Sequence, residues 1–170
     1  MRGGYFVLIN LVGFNLSWFG LVYWGDAFIP ISVSLLLIHL YFYGQKNHEL
    51  LLVLLITLIG VFVDSLLQYF NIFVFEHSTH IPLWLIALWA CFAATLCHSL
   101  DFLSRHKVLQ LLVGGFLAPL SYVAGYKLNA VDFTLPLTTT YLILSLIWSI
   151  LFICFYAVKH SLANKEVSHA

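Results

Sequence analysis

The stretch LLLVLLITLIGVFVDSLLQY, residues 50–69, decides the fold of this chain. Its 20 residues are apolar almost throughout and include a single ionisable side chain, that of Asp64. About 20 consecutive apolar residues are enough for an α-helix to cross the hydrocarbon core of a bilayer. Lipid also requires each backbone polar group to be hydrogen-bonded within its own segment. The stretch therefore predicts a transmembrane α-helix.

The rest of the chain has the same character. Of 170 residues, 62% are hydrophobic, 17% aromatic and only 8% charged, whereas soluble domains carry about 25% charged residues. Short connections between apolar segments make neighbouring helices run antiparallel. We therefore predict an all-α fold, a polytopic membrane helical bundle with six transmembrane helices. The predicted spans are residues 5–24, 27–43, 50–69, 81–103, 108–126 and 135–158.

The lysine and arginine residues predict the orientation of this bundle. Only Lys127 falls on one side of the membrane, and the other six fall on the opposite side: Arg2, Lys46, Arg105, Lys107, Lys159 and Lys165. Loops on the cytoplasmic side carry the excess of Lys and Arg. We therefore predict a multi-pass protein of the bacterial inner membrane with both termini in the cytoplasm. Residues 1–158 form the transmembrane domain and residues 159–170 a short polar cytoplasmic tail.

An ionisable residue within a span is costly and usually faces the bundle interior or a wet cavity. Asp64 is predicted to lie in the outer half of the third span, about two turns below the surface. Other polar and aromatic residues are expected at similar depth on neighbouring helices or on the next turn: Trp18, Gln68, Ser121 and Tyr122. The sharper hypothesis is a ligand pocket on the periplasmic side with Asp64 at its base. The alternative is an aspartate held by Tyr122 or by a backbone N–H only to fix helix packing.

A second polar layer is predicted near the cytoplasmic face, and its members are Asn10, His39, Thr95, His98 and Asp101. Asp101 follows His98 by three residues and precedes Arg105 by four, so both pairs can touch along one helix face. A carboxylate beside a histidine can tune a proton acceptor, although Asp101 and Arg105 near the headgroups could equally form a simple ion pair. Two histidines and one aspartate are thin evidence for a metal, so we predict no metal site. No cofactor motif and no catalytic motif is visible, which leaves open whether the protein is an enzyme.

Four sequence blocks carry a resemblance to a known family. They are NLVGFNLSWFG (10–20), VDSLL (63–67), PLWLIALWACFAATLCHSL (82–100) and APLSYVAGYKLNAVDF (118–133). The chain resembles an uncharacterised family, known only as a domain of unknown function, of small polytopic inner-membrane proteins from proteobacteria. It departs from the family pattern at Asn15, where Gln is expected, and at Asn129, where Gly is expected. By position, the family's motif residues are Asn10, Trp18, Asp64, Trp84, Trp89, Thr95, His98, Ser99, Pro119, Ser121 and Tyr122.

The resemblance implies a location and a size but no activity. It also implies a lipid-related role, because relatives are often encoded beside enzymes that modify membrane fatty acids. We therefore expect a protein that binds a lipid or small molecule in the periplasmic-side pocket, accessory to membrane-lipid modification. The alternatives are a small proton-coupled carrier using Asp64, an intramembrane lipid-modifying enzyme using His98 and Asp101, and an assembly subunit. The expected partners are membrane lipids, with a second copy or another membrane protein as an alternative. The formal net charge of zero argues against nucleic acid as a partner.

Overall fold

The structure, a computed structural model, describes residues 2–44, 46–76 and 80–167. Seven α-helices account for most of these residues: α1 (Arg2–Trp24), α2 (Ile29–Tyr43), α3 (Lys46–Tyr69), α4 (Leu83–Thr95), α5 (Lys107–Leu112), α6 (Ala118–Lys127) and α7 (Leu137–Val167). Two-residue strands β1 (Phe73–Val74) and β2 (Asp132–Phe133) pair with each other in antiparallel fashion. The predicted all-α fold is confirmed.

Among the described residues, four helical stretches are long and apolar enough to cross a membrane, so this is a membrane protein. They are Gly4–Phe42, His48–Tyr69, Lys107–Lys127 and Leu137–Asn164. The first has 39 residues and contains both α1 and α2, which a 3₁₀ turn at Gly25–Phe28 joins. Many large apolar side chains lie on the outside of the bundle, as they do when lipid rather than water surrounds a protein.

The core of the bundle is built around Trp89 on α4. Its ring stacks on that of Trp148 on α7, with 5.1 Å between the ring centroids. On the side of α3, a Cβ atom at Gly60 would collide with the Trp89 ring, so only glycine leaves room for it there. Small residues at helix contacts let backbones approach closely, which drives helix association in lipid.

Helix α4 is shorter than the predicted span of residues 81–103. It ends at Thr95 and is followed by loosened turns and a 3₁₀ helix at Asp101–Arg105. Carbonyl groups that leave the α-helical ladder need other donors, and α7 supplies them. Tyr156 Oη donates to the carbonyl of Leu100 at 2.6 Å, and Lys159 Nζ donates to that of Leu96 at 2.6 Å.

The helix expected at residues 108–126 is interrupted before Pro119. A π-helical segment, Val113–Leu117, separates α5 from α6. Proline lacks an N–H and its ring collides with the carbonyl four residues earlier, so a widened turn at this point relieves the contact. Gly114 lies against α7, where an added Cβ would be 2.5 Å from the carbonyl oxygen of Trp148. The segment before Pro119 is thus a π-bulge.

Three connections meet at one end of the bundle, here called the hairpin end. Strands β1 and β2, which follow α3 and α6, pair in the register Phe73 with Phe133. Asp26, between α1 and α2, accepts a hydrogen bond from the backbone N–H of Trp84 at 2.9 Å and so binds the first turn of α4. These contacts place the connections after α1, α3 and α6 beside one another.

Two asparagines end the helices that lead to the strands. Asn71, after α3, has φ 54°, and Asn129, after α6, has φ 58°. In each case the next N–H bonds back to a carbonyl five residues earlier, Ile72 to Leu67 and Ala130 to Gly125, which is the Schellman arrangement. The left-handed conformation favours Gly or Asn, which explains why Asn is accepted at position 129 where the family is expected to carry Gly.

The opposite end, here called the terminal end, holds the C-terminal part of α7. This helix continues past residue 158, where the predicted span ends, as far as Val167. The side chain of Lys159 pairs with Asp101, and His160 Nε2 lies 3.0 Å from the carbonyl oxygen of Ser104. These contacts hold the first residues of the predicted tail against the bundle. Residues 168–170 of that tail lie outside the described residues.

Candidate functional site

Two helices and the segment that follows a third bring two histidines and a glutamate together near the terminal end. Glu49 lies in the first turn of α3, His39 near the end of α2 and His98 just after α4. Nε2 of His98 is 2.9 Å from Oε1 of Glu49, and Nε2 of His39 is 3.9 Å from the same oxygen. The two imidazole rings meet edge to face, with 4.5 Å between their centroids.

The carboxylate in this cluster is almost completely removed from solvent, since Glu49 is 1% exposed. A buried charge is expensive unless it is paired and hydrogen-bonded. The position of Glu49 at the start of a helix is favourable, because the helix dipole is positive there. The two imidazoles also contribute to its polar environment. This cluster, His39, Glu49 and His98, is called the His–Glu cluster below.

Asn10 on α1 fixes the orientation of His39. Oδ1 of Asn10 accepts hydrogen bonds from the backbone N–H of Ser99 at 3.2 Å and from its hydroxyl at 2.6 Å. Since a backbone N–H can only donate, the amide oxygen must face Ser99 and the amide nitrogen must face the other way. That nitrogen lies 3.4 Å from Nε2 of His39. In a hydrogen bond between these two atoms, the amide N–H donates and Nε2 of His39 accepts.

A cavity of about 100 Å³ lies beside the His–Glu cluster, between α1, α2 and α4. Asn10, Ser17 and His39 contribute its polar groups, and the rest of the lining is mainly apolar. Ile9 on α1 and Ile38 on α2 also line the cavity and are exposed on the outside of the bundle. The cavity therefore opens sideways between α1 and α2. Next to Gly13 it leaves open space, since an added Cβ would meet nothing within 4 Å.

Asp64 on α3 lies in a second, separate polar contact. Trp89 Nε1 donates to its Oδ2 at 2.6 Å. Tyr122 Oη on α6 lies 3.0 Å from Oδ1 and 3.3 Å from Oδ2. The residue is 1% exposed. One carboxylate thus joins α3, α4 and α6.

The structure brings only some of the predicted outer residues to Asp64. Tyr122 contacts it directly, as the hypothesis of a held aspartate expects. Ser121 turns back on its own helix and donates to the carbonyl of Ala118 at 2.6 Å. Trp18 packs beside Phe19 of its own helix, with 6.4 Å between their centroids. Gln68, one turn beyond Asp64, is partly buried. A ligand pocket at Asp64 stays a prediction.

The predicted cytoplasmic layer is divided in the structure. Asn10, His39 and His98 come together, whereas Asp101 pairs with Lys159 on α7 and its side chain is 56% exposed. Thr95 is buried, but its hydroxyl donates to the carbonyl of Phe92 in its own helix at 2.6 Å. The carboxylate beside His98 is thus that of Glu49 in place of the expected Asp101.

Comparison with known proteins shows the family of this chain. A family model described as a protein of unknown function, DUF2878, matches residues 7–154. The chain belongs to the DUF2878 family. No curated protein and no solved structure matches the chain. The expected resemblance to a family of unknown function is confirmed.

The sequence did not predict two site residues of this DUF2878 chain: Glu49 of the His–Glu cluster, and Trp89, which contacts Asp64. Glu49 precedes the apolar run of residues 50–69 by one position and was left outside the span, whereas α3 begins earlier, at Lys46. Trp89 was included among the family motif residues, but nothing in the sequence pairs it with Asp64. An acidic residue at the very start of an apolar run is the signal that would have indicated Glu49.

Proposed function

We propose that this protein is a six-span protein of a bacterial inner membrane that binds a membrane phospholipid between α1 and α2. The cavity that opens sideways beside Asn10 and His39 is the observation that carries the proposal. A lipid-facing opening admits a ligand directly from the bilayer. The cavity has apolar walls and polar groups at one place, which suits an amphiphilic ligand. In mostly apolar ligand pockets, a few polar contacts set the orientation of the ligand.

Six crossings are supported by the way the connections are distributed. The connections after α1, α3 and α6 contact one another at the hairpin end. Residues 101–105 contact Lys159 and His160 on α7 at the terminal end. Six of the seven lysines and arginines fall at or beyond the terminal end in this arrangement, which favours a cytoplasmic position for it and for both chain termini.

The size of the cavity limits what it can hold. At roughly 30 Å³ for each water molecule in the liquid, about 100 Å³ accommodates a headgroup fragment or a short chain segment. The remainder of a phospholipid would lie along the exposed surfaces of Ile9 and Ile38. This lipid site differs from the pocket expected at Asp64. There, Trp89 and Tyr122 already donate hydrogen bonds to the carboxylate oxygens. Those contacts favour a structural role for Asp64 over proton-coupled transport.

Two glycines on α1 provide a matched test. Gly13 lines the cavity, whereas Gly4 does not, and a Cβ at either position would meet nothing within 4 Å. Gly13→Leu should fill the cavity and lower the amount of co-purified phospholipid, measured by native mass spectrometry in the presence of EDTA, by about tenfold. Gly4→Leu should retain lipid as the wild type does.

Photocrosslinking identifies where the lipid lies. A phospholipid with a diazirine in its acyl chain should label peptides of α1 and α2 in the wild type, and this labelling should be lost in Gly13→Leu. Equal lipid retention in Gly13→Leu and Gly4→Leu would overturn the proposal. Labelling confined to helices other than α1, α2 and α4 would do the same.

A further inference from the structure

The His–Glu cluster has the composition of a metal site. We propose that His39, Glu49 and His98 together bind one divalent transition-metal ion, for which Zn²⁺ is the reference probe. Imidazole nitrogen and carboxylate oxygen are common ligands of Zn²⁺ and related ions. The site goes beyond lipid binding and does not depend on it.

The distances fit such an ion. One ligand atom from each of the three residues lies within 4.8 Å of the others. Zinc binds nitrogen and oxygen ligands at about 2.0–2.2 Å, which separates the ligands of a tetrahedral site by about 3.3–3.6 Å. The separations from Oε1 of Glu49, 2.9 Å to His98 and 3.9 Å to His39, lie on either side of that value. Because the widest separation in the cluster is up to 4.8 Å, the ligand atoms would have to approach one another by up to about 1.5 Å to complete the geometry.

The buried carboxylate also favours a cation. A metal ion at this point would compensate the charge of Glu49. Metal binding requires ring nitrogens without protons. Nε2 of His39 would therefore exchange its contact with Asn10 for the ion, and Nε2 of His98 would give up any proton that it shares with Oε1 of Glu49.

The surroundings resemble those of a site with an open coordination position. Three protein ligands leave at least one position for water or for an oxygen of another ligand, as in catalytic zinc sites. His39 forms part of the cavity wall, so that position could face the cavity.

Cobalt binding to the full chain in detergent tests the proposal. The protein is stripped with chelator, and Co²⁺ is added while its visible absorption is recorded; Zn²⁺ competition then gives the zinc affinity. We expect one ion for each chain. His39→Gln, Glu49→Gln and His98→Gln should each weaken binding by at least about 100-fold. His106→Gln, which alters an exposed histidine, should bind as the wild type does.

Spectroscopy of the wild type keeps the test independent of whether the variants fold. X-ray absorption at the zinc edge should show two imidazole nitrogens together with oxygen ligands. His98→Cys, which keeps a ligating atom, should retain zinc and add a sulfur ligand. Absence of stoichiometric binding, thiolate ligands in the wild type, or unchanged affinity in the three glutamine variants would each overturn the proposal. The lipid measurement is made in EDTA, which removes metal ions. It therefore tests lipid binding in the cavity independently of the metal site.

Discussion

Nε2 of His98 lies 2.9 Å from Oε1 of Glu49, a residue 49 positions earlier on another helix. This contact joins the first turn of α3 to the segment that follows α4. It also places a buried carboxylate beside the histidine that the sequence paired with Asp101. Glu49 is buried and contacts His98, whereas Asp101 is exposed and pairs with Lys159. The effects of these two carboxylates on His98 can therefore be measured separately.

A double-mutant cycle between Glu49 and His98 should reveal strong coupling. The pair is buried, and hydrogen bonds to charged groups contribute about 1.5–3 kcal/mol to stability. Glu49→Gln, His98→Gln and the double variant should give a coupling free energy of about 1–3 kcal/mol in reversible unfolding in detergent. The same cycle between Asp101→Asn and His98→Gln should give nearly none. A larger coupling to Asp101 would contradict the observed pairing.

Tyr122→Phe should destabilise the bundle through Asp64. The substitution removes the hydroxyl 3.0 Å from Oδ1 and leaves a buried carboxylate with one fewer donor. We expect a loss of about 1–3 kcal/mol in the free energy of unfolding. Tyr141→Phe is the control, since its hydroxyl donates to the carbonyl of Phe116 in an exposed hydrogen bond. Equal losses in the two variants would count against a special role of the Asp64 contact.

Two glycine-to-alanine substitutions should change stability in opposite directions. At Gly60 an added Cβ would collide with the Trp89 ring, and overpacking a core costs about 1–3 kcal/mol. At Gly13 there is open space, and alanine is favoured over glycine in a helix by about 1 kcal/mol. Thermal unfolding in detergent should therefore show a lower midpoint for Gly60→Ala and an equal or higher one for Gly13→Ala.

The left-handed residue after α6 should accept glycine more readily than alanine. Asn129 has φ 58°, a conformation that costs a residue with a Cβ about 1–2 kcal/mol. Asn129→Gly should therefore leave the unfolding midpoint unchanged or raised, and Asn129→Ala should lower it. A stabilising alanine at this position would mean that the Schellman end of α6 does not form in the membrane.

Cysteine accessibility checks the six-span topology. In a background with Cys91, Cys97 and Cys154 replaced by Ala, single cysteines are introduced by Arg105→Cys, Lys127→Cys and Lys165→Cys. A membrane-impermeant thiol reagent added to intact cells should label only the Lys127→Cys variant. Labelling of the Arg105→Cys or Lys165→Cys variant from outside would show that the terminal end is not cytoplasmic.

The sequence predicted those features that depend on a continuous segment. The run at residues 50–69 indicates a membrane helix by itself, because length and apolarity alone determine whether a segment can cross a bilayer. The depth of Asp64 and Tyr122 follows from their positions within such segments, and the structure places these two residues in contact. The break before Pro119 likewise follows from one residue, since proline disrupts the helix that contains it.

Only the tertiary structure decided which polar side chains meet. Glu49, His39 and His98 lie on separate segments, and their convergence depends on how α2, α3 and α4 rotate and tilt against one another. The periodicity of a nearly uniformly apolar helix does not specify that rotation, because almost every face is compatible with lipid. Close contacts fix it instead, such as that of Gly60 with Trp89. The sequence thus determined that the chain is a membrane bundle, and side-chain packing between helices determined where its chemistry lies.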